Sequence, residues 1–344
     1  MAKVSADPNL ARFTALLRAA RGRRVVVLGD LLADEYVSGR IARVSREAPV
    51  LILEYDSTDI RPGGAGNAAH NVAALGGAAT LVALAGRDDA GRRVLASFPR
   101  GVDTRRVVRP AGYRTPLKTR ILAGGIHSAK QQVVRIDRHA RAPIADAWRA
   151  AWLRAAARAL RGADAVLVSD YGSGLLSPAL VASLVGPLRT GRRRVPVLVD
   201  SRYDLLRYRG LTACTPNESE VEHALGTTIG DSPRALERAG RAILARTRMD
   251  AVLVTRGSRG MALFEPGVPT VQVPIFGSDE IADVTGAGDT VMATLTLALA
   301  AGATMAEAAR LANYAGGLVV MKRGTATVTA RELAGAVAAD AATR

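Results

Sequence analysis

Six short, almost unbroken apolar runs recur along the chain: VVVLG (25–29), TLVALA (80–85), AVLVS (165–169), PVLVD (196–200), AVLVT (251–255) and MALF (261–264). Runs this short and this rich in valine read as strands buried on both faces. Between them, residues 66–76, 146–161, 178–190, 232–247, 289–301 and 305–321 carry helical spacing. A strand with two buried faces needs a covering layer on each side, and the intervening helices supply it. The expected fold is therefore α/β, three layers, with a mostly parallel central sheet between two helical layers. In such folds ligands sit beyond the carboxyl ends of the strands.

Two segments break the rhythm. Residues 34–62 and 113–137 contain alternating, more polar strand-like pieces, EYVSGRIARVSREAPVLILEY and YRTPLKTRILAGGIHSAKQQVVRID. They read as one small β-sheet folded over the site as a lid. The same exposed edges would also serve a homodimer joined through the lid. No repeat, low-complexity tract or linker interrupts the chain, so a single domain over 1–344 with two inserted lid segments is expected.

Charge bears on the choice of partner. The net charge is +16, with 43 arginines against four lysines. A basic protein raises nucleic acid as a ligand. Here the arginines are spread over the whole chain with only short clusters, such as 192–194. An Ala- and Arg-rich composition also follows from GC-rich coding, so nucleic acid is not the expected partner. The single cysteine, Cys214, excludes an internal disulfide and a cysteine zinc site. His70, His127, His139 and His223 show no zinc-type spacing. The apolar run near 291–300 is too short to span a bilayer, and MAKVSADPNLARF has no signal-peptide core. A cytoplasmic protein with no membrane partner is expected.

The chemistry concentrates in DVTGAGDT (283–290), which runs into the apolar helical stretch VMATLTLALA. A glycine turn opening a helix is an anion cradle, because the first helical amides lack partners. For phosphoryl transfer, the amides of Gly286, Ala287 and Gly288 would face the γ-phosphate, and Asp289 would take the proton of an attacking hydroxyl. GGAGNAAH (63–70) mimics a dinucleotide fingerprint, but the strand VVVLGD does not lead into it. It reads better as a glycine turn close to a ligand, with Asn67 capping the next helix. In TPNESE (215–220), Asn217 and Glu220 have capping-box spacing; they are also placed to order phosphate or a magnesium shell. TRGSRG (255–260) is either a hairpin turn or a glycine turn touching nucleotide phosphates. There is no Walker-A motif and no protein-kinase H-R-D or D-F-G signature.

These motifs, PGGAGNAAHNVAALGG early and DVTGAGDT late, make the chain resemble the ribokinase-like, PfkB-type carbohydrate kinases over roughly 22–335. Within that family GDLLADEYVSG, SREAPVLIL, RPGGAGNAA, SDYGSGLL, RYRG and TPNESE are similar to the D-glycero-β-D-manno-heptose 7-phosphate kinases of ADP-heptose synthesis. The resemblance implies a ribokinase-like fold and ATP-dependent transfer to a sugar hydroxyl, O1 of the heptose 7-phosphate. Asp34, Gly63, Gly64 and Asn67 would contact the sugar. Asn217, Glu220, Thr255, Gly257 and Gly260 would contact ATP and Mg2+, with Glu220 acting through water, and Asn313 and Gly316 would approach adenine. Asp283 and Thr285 match positions that bind a monovalent cation, for which K+ is the expected ion. The family's Asp-Pro-Lys after the fifth core strand is here Asp200-Ser201-Arg202, and the lid turn at 124–127 is Gly-Gly-Ile-His. The alternatives are a kinase for fructose, ribose or a nucleoside-like sugar and, outside the class, a basic nucleic-acid-binding protein on the same fold. A phosphorylated sugar also needs a cationic contact. Strand alternation puts Lys118 and Arg120 on one face, either converging on that phosphate or simply solvated.

Overall fold

The computed structural model describes residues 8–124, 130–138, 143–191, 193–277, 283–322 and 324–343. His127, His139, Arg192 and most of the lid turn at 124–127 lie outside these residues. In chain order the elements are α1 (Pro8–Ala20), β1 (Arg24–Gly29), β2 (Leu31–Val44), β3 (Leu51–Gly64), α2 (Ala65–Ala74), β4 (Ala78–Val82), α3 (Asp89–Ala96) and β5 (Val102–Asp103). Then come β6 (Leu117–Gly124), β7 (Gln131–Arg138), α4 (Asp146–Ala159), β8 (Ala165–Asp170), α5 (Pro178–Thr190), β9 (Val197–Ser201), β10 (Ala213–Cys214), α6 (Glu218–Leu225) and α7 (Pro233–Thr247). The chain continues through β11 (Ala251–Thr255), β12 (Met261–Phe264), β13 (Val271–Val273), α8 (Ala287–Ala300), α9 (Met305–Val319) and α10 (Ala330–Thr343).

Among the described residues the central sheet has nine strands in the order β13-β12-β11-β10-β9-β8-β1-β4-β5. From β11 to β5 the pairing is parallel; β12 and β13 add an antiparallel edge. MALF, expected as one more buried strand, is thus the return arm of a hairpin. Side-chain alternation divides the interior in two. Val25, Val27 and Leu167 point into one core with α1, α2, α8, α9 and α10, while Val26, Leu28, Val166 and Val168 point into the other with α4, α5, α6 and α7. This is the three-layer arrangement that two-faced apolar strands require.

The expected helices form with ends shifted by a few residues. Helices α1, α3 and α10 were not expected. α1 seals one core through the buried Phe13 and Leu16, and α10 does so through Leu333 and Val337.

The lid is a separate four-stranded sheet, β3-β2-β6-β7. The first lid segment runs longer than expected, from Leu31 to Gly64, whereas the second starts later, running from Leu117 to Arg138. β2 pairs in parallel with β6, matching Asp34 with Lys118 and Tyr36 with Arg120. Those four side chains share one face. Glu35 and Thr119 occupy the other, where Glu35 accepts hydrogen bonds from Thr119 and Arg93. No described helix is long and apolar enough to cross a membrane.

Candidate active site

A cleft of about 500 Å3 opens at the carboxyl ends of β8, β9, β10 and β11, against the start of α8. Asn217, Glu220, Thr255, Gly257, Gly260, Asn313 and Gly316, seven residues spread over a hundred positions of sequence, all line it, as do Gly286, Ala287, Gly288 and Asp289. The capping box expected in TPNESE forms, and the same two residues lie at the cleft. Asn217 caps α6 by accepting from the Glu220 amide, Glu220 accepts from the Asn217 amide, each at 2.9 Å, and both face the cleft. TRGSRG closes the β11–β12 hairpin, and its Thr255, Gly257 and Gly260 line the cleft. Asn313 donates its amide to the Pro274 carbonyl at 2.8 Å, which leaves its side-chain oxygen for a ligand.

Asp289 sits in the first turn of α8 and is 5% exposed. Its two oxygens are held by different parts of the fold. Asn67 donates to Oδ2 at 2.8 Å, and the Tyr171 hydroxyl donates to Oδ1 at 3.2 Å. Burial pushes its carboxyl up to about 7, opposed by those two hydrogen bonds and by Lys118, and reinforced by Asp34. A buried carboxyl poised near neutrality, with its charged form stabilised by donors, suits a general base.

Asn67 does not cap a helix. β3 runs directly into α2, Gly64 is the cap residue, and no side chain bonds there. Asn67 lies inside α2 and turns its amide across to α8. Its Oδ1 accepts from Asn71, whose own Oδ1 accepts from Thr290, so α2 and α8 are cross-linked beside the base.

Gly286 has a φ of 78°, and a β-carbon there would lie 2.5 Å from the Asn67 Nδ2. The glycine therefore serves the turn and leaves room for the amide that holds Asp289. The three amides of the expected cradle differ in their bonding. The Ala287 amide donates to the Val284 carbonyl at 3.2 Å, whereas those of Gly286 and Gly288 make no such bond among the described residues. Gly288 has no positive φ, and a β-carbon would meet open space. Gly288→Val should therefore fold normally yet fill part of the cleft. Turnover should fall roughly 10²-fold, the size of losing one transition-state donor. Unchanged kcat with an unchanged melting curve would show that no phosphate passes over residue 288.

Three further carboxylates crowd the cleft region. Asp200 is driven far above its ordinary value by burial and then by Glu220, Asp289 and Asp170. Glu220 is also raised, by burial, against its bonds to Asn217. Asp170 is tied down by Ser201 and by the Tyr208 hydroxyl, at 3.0 and 2.8 Å. Among the described residues, however, no three carboxylates, histidines or cysteines stand close enough together to hold a metal ion by themselves.

Across the Tyr171 ring lies the inner face of the lid. Lys118 Nζ stands 5.4 Å from the ring centre, and Arg120 donates to Asp34 at 3.3 Å and to Gln132 at 3.0 Å. Lys118 and Arg120 do share a face, but Arg120 is half-occupied by Asp34 and is not a free anion contact. Its Nε–H is buried with no acceptor among the described residues. Asp34 is raised by burial, against Arg120 and Lys118. A β-carbon at Gly63 would fall 2.3 Å from the Asp34 carboxylate, so glycine there makes room for it. Asp283 accepts from the amides of Thr285 and Gly324, both at 2.9 Å, and these bonds outweigh burial to keep it below its ordinary value. His70 and His223 lie on α2 and α6, away from the cleft.

Residues 23–331 match the profile described as pfkB family carbohydrate kinase. The chain belongs to the pfkB family of carbohydrate kinases. The chain is 42% identical over 327 residues to the Bifunctional protein HldE of Trichlorobacter lovleyi, a match covering 94% of this chain and 65% of that one. It is 44% identical over 322 residues to the Bifunctional protein HldE of Caulobacter vibrioides, covering 92% and 64%. The chain thus spans less than two-thirds of the length of these curated relatives. Among solved structures it is similar to phosphofructokinase-2 from Escherichia coli in complex with potassium, with a TM-score of 0.72, 18% identity and coverage of 93% and 99%. It is also similar to Arabidopsis thaliana ribokinase complexed with ribose and ATP, with a TM-score of 0.68, 20% identity and coverage of 92% and 99%. At these identities the two structures bear on the fold, and both support the ribokinase-like three-layer arrangement.

Sequence reasoning missed the part played by Tyr171. The signal was present, since SDYGSGLL follows a core strand at its ligand-binding end. Nothing local tells that its hydroxyl reaches a carboxylate 118 positions away.

Proposed function

We propose that the kinase transfers the γ-phosphate of ATP to O1 of D-glycero-D-manno-heptose 7-phosphate. One observation carries the reading: Asp289 stands between the glycine turn of the cleft and the Asp34–Lys118–Arg120 face of the lid, with both its oxygens held. ATP would lie in the cleft along Asn217, Glu220, Thr255, Gly257 and Gly260, with its base toward Asn313 and Gly316. The amides of Gly286 and Gly288 would hold the transferred group, joined by that of Ala287 if its turn bond yields. Asp289 would take the proton of the attacking hydroxyl, which Asp34, Gly63, Gly64 and Asn67 would help to orient. Glu220, through water, fits a magnesium ion, which supplies charge neutralisation to the phosphates when bound. The heptose rests on the resemblance of SREAPV and its companion motifs, and on the relatives named HldE. ADP release should be measured over heptose 7-phosphate, fructose 6-phosphate, ribose and a nucleoside. The heptose ester should give the highest kcat/KM; an equal or higher value for another sugar overturns the assignment.

Asp283 and Thr285, bonded to each other and through Gly324 to the late loop, are the proposed monovalent cation site. It would act by ordering the turn that precedes Gly286. Rates should be higher in potassium than in sodium at equal ionic strength, and equal rates in potassium, sodium and tetramethylammonium remove the site from the mechanism.

The outer part of the lid exposes Ile41, Val44, Leu51, Tyr55, Val134 and Ile136. So many large apolar side chains on one small sheet favour a homodimer through the lid. Sedimentation should report a dimer that Val134→Glu dissociates; a wild-type monomer at high concentration would rule it out.

A further inference from the structure

We propose that Tyr171 is a positioning residue of the phosphotransfer, holding the base with its hydroxyl and the sugar-side cation Lys118 with its ring. The inference rests on Asp289 being the base. Tyr171 is the first residue after β8, and its loop is pinned from the end of the neighbouring strand, β1. Asp30, following β1, accepts from the Tyr171 amide at 2.9 Å, the Ser173 amide at 3.2 Å and the Ser173 hydroxyl at 2.5 Å. The ring is then set against Gly64, where a β-carbon would come within 3.3 Å of Cε2. From that position the hydroxyl donates to Asp289 Oδ1 at 3.2 Å, on the oxygen that Asn67 does not take. The Lys118 ammonium stands 5.4 Å from the ring centre, within cation–π range. Lys118 makes no ion pair among the described residues; Asp34 and Asp137 attract it from beyond that distance, and the ring is the neighbour it stands over.

Two functions therefore reside in one side chain and are separable by substitution. Phenylalanine keeps the ring and loses the hydroxyl; leucine loses both. The charged and titratable groups around Asp289 and Tyr171 are Asp34 on β2, Lys118 on β6 and Asp200 on β9. All three remain in either variant. The hydroxyl favours the ionised base, so its removal must raise the pH at which Asp289 ionises.

The test compares wild type, Tyr171→Phe and Tyr171→Leu from pH 5.5 to 9, with Mg–ATP and D-glycero-D-manno-heptose 7-phosphate. In parallel, 13C NMR of the aspartate carboxyls of the free proteins is titrated, with Asp289→Asn assigning the signal. Tyr171→Phe should lower kcat about tenfold at pH 7 and leave the sugar KM within about twofold. Its acidic limb and its NMR midpoint should both move up by about one pH unit, the equivalent of one hydrogen bond to a charged group. Tyr171→Leu should add a rise of about tenfold in the sugar KM, as Lys118 loses its seat. A Tyr171→Phe variant with the wild-type limb and midpoint overturns the hydroxyl's role. A Tyr171→Leu variant with unchanged sugar KM overturns the ring's role. If the wild type does not turn over the heptose ester, the substrate reading fails on its own, and the NMR midpoint of the free proteins still decides whether Tyr171 holds the base.

Discussion

Asp289→Asn is expected to fold normally and to lose roughly 10²–10⁴-fold in kcat, the usual size of a general-base contribution. Asparagine fills the same space and still accepts from Asn67, but it takes no proton. ATP affinity should change little, because the nucleotide contacts proposed above lie elsewhere in the cleft. The same residue gives the wild type its pH profile. With the carboxyl at about 7, kcat/KM should fall as the pH drops through neutrality. Stability should move the other way. The folded carboxyl sits above its ordinary value of 3.8, so between these values the folded state binds more protons than the unfolded one. Its contribution to stability therefore declines as the pH rises from about 4 to about 7. Asparagine removes that penalty, so the variant should melt a few degrees higher than wild type at pH 8 and show no such gain at pH 4. Near wild-type turnover in the variant would show that another group takes the proton.

That one substitution both inactivates and stabilises is a property of the assembled site, and local sequence rules do not reach it. DVTGAGDT announces an anion turn because helix starts and glycines have local physics. The buried strands announce themselves for the same reason: an apolar run of five residues has few other uses. Asn67 was misread because its spacing from the glycine turn satisfies a local capping rule. What overrides the rule is a partner 222 positions away, brought close when α2 packs on α8. Arg120 shows the same limit. Strand alternation puts it beside Lys118, but only the register of β2 against β6 reveals that Asp34 occupies half of its fork. Helices α1 and α10 escaped notice because an Ala- and Arg-rich chain gives weak contrast between apolar and polar faces.

The partial pairing of Arg120 changes what replacing the lid cations should do. Lys118 makes no ion pair among the described residues, so Lys118→Met breaks none, although Asp34 and Asp289 lose its longer-range attraction. Arg120→Met leaves the buried Asp34, already raised by burial, without its nearest cation, and that carboxyl will tend to take up a proton. The single Lys118 variant is therefore the cleaner probe. Charge-assisted contacts contribute roughly 1.5–3 kcal/mol each. Lys118→Met should lower kcat/KM for heptose 7-phosphate roughly 10- to 10²-fold, and the double variant by as much as about 10⁴-fold. The KM for ATP should stay near wild type in both. The ratio of kcat/KM for the phosphorylated over the unphosphorylated heptose isolates the effect, since general damage to the lid lowers both terms. If Lys118→Met leaves that ratio unchanged, the cation does not meet the substrate's phosphate. If the wild type already uses the neutral sugar as well as its ester, no cation on this face is selecting for phosphate. Arg120 then serves to hold Asp34, and the enzyme is better described as a general sugar kinase.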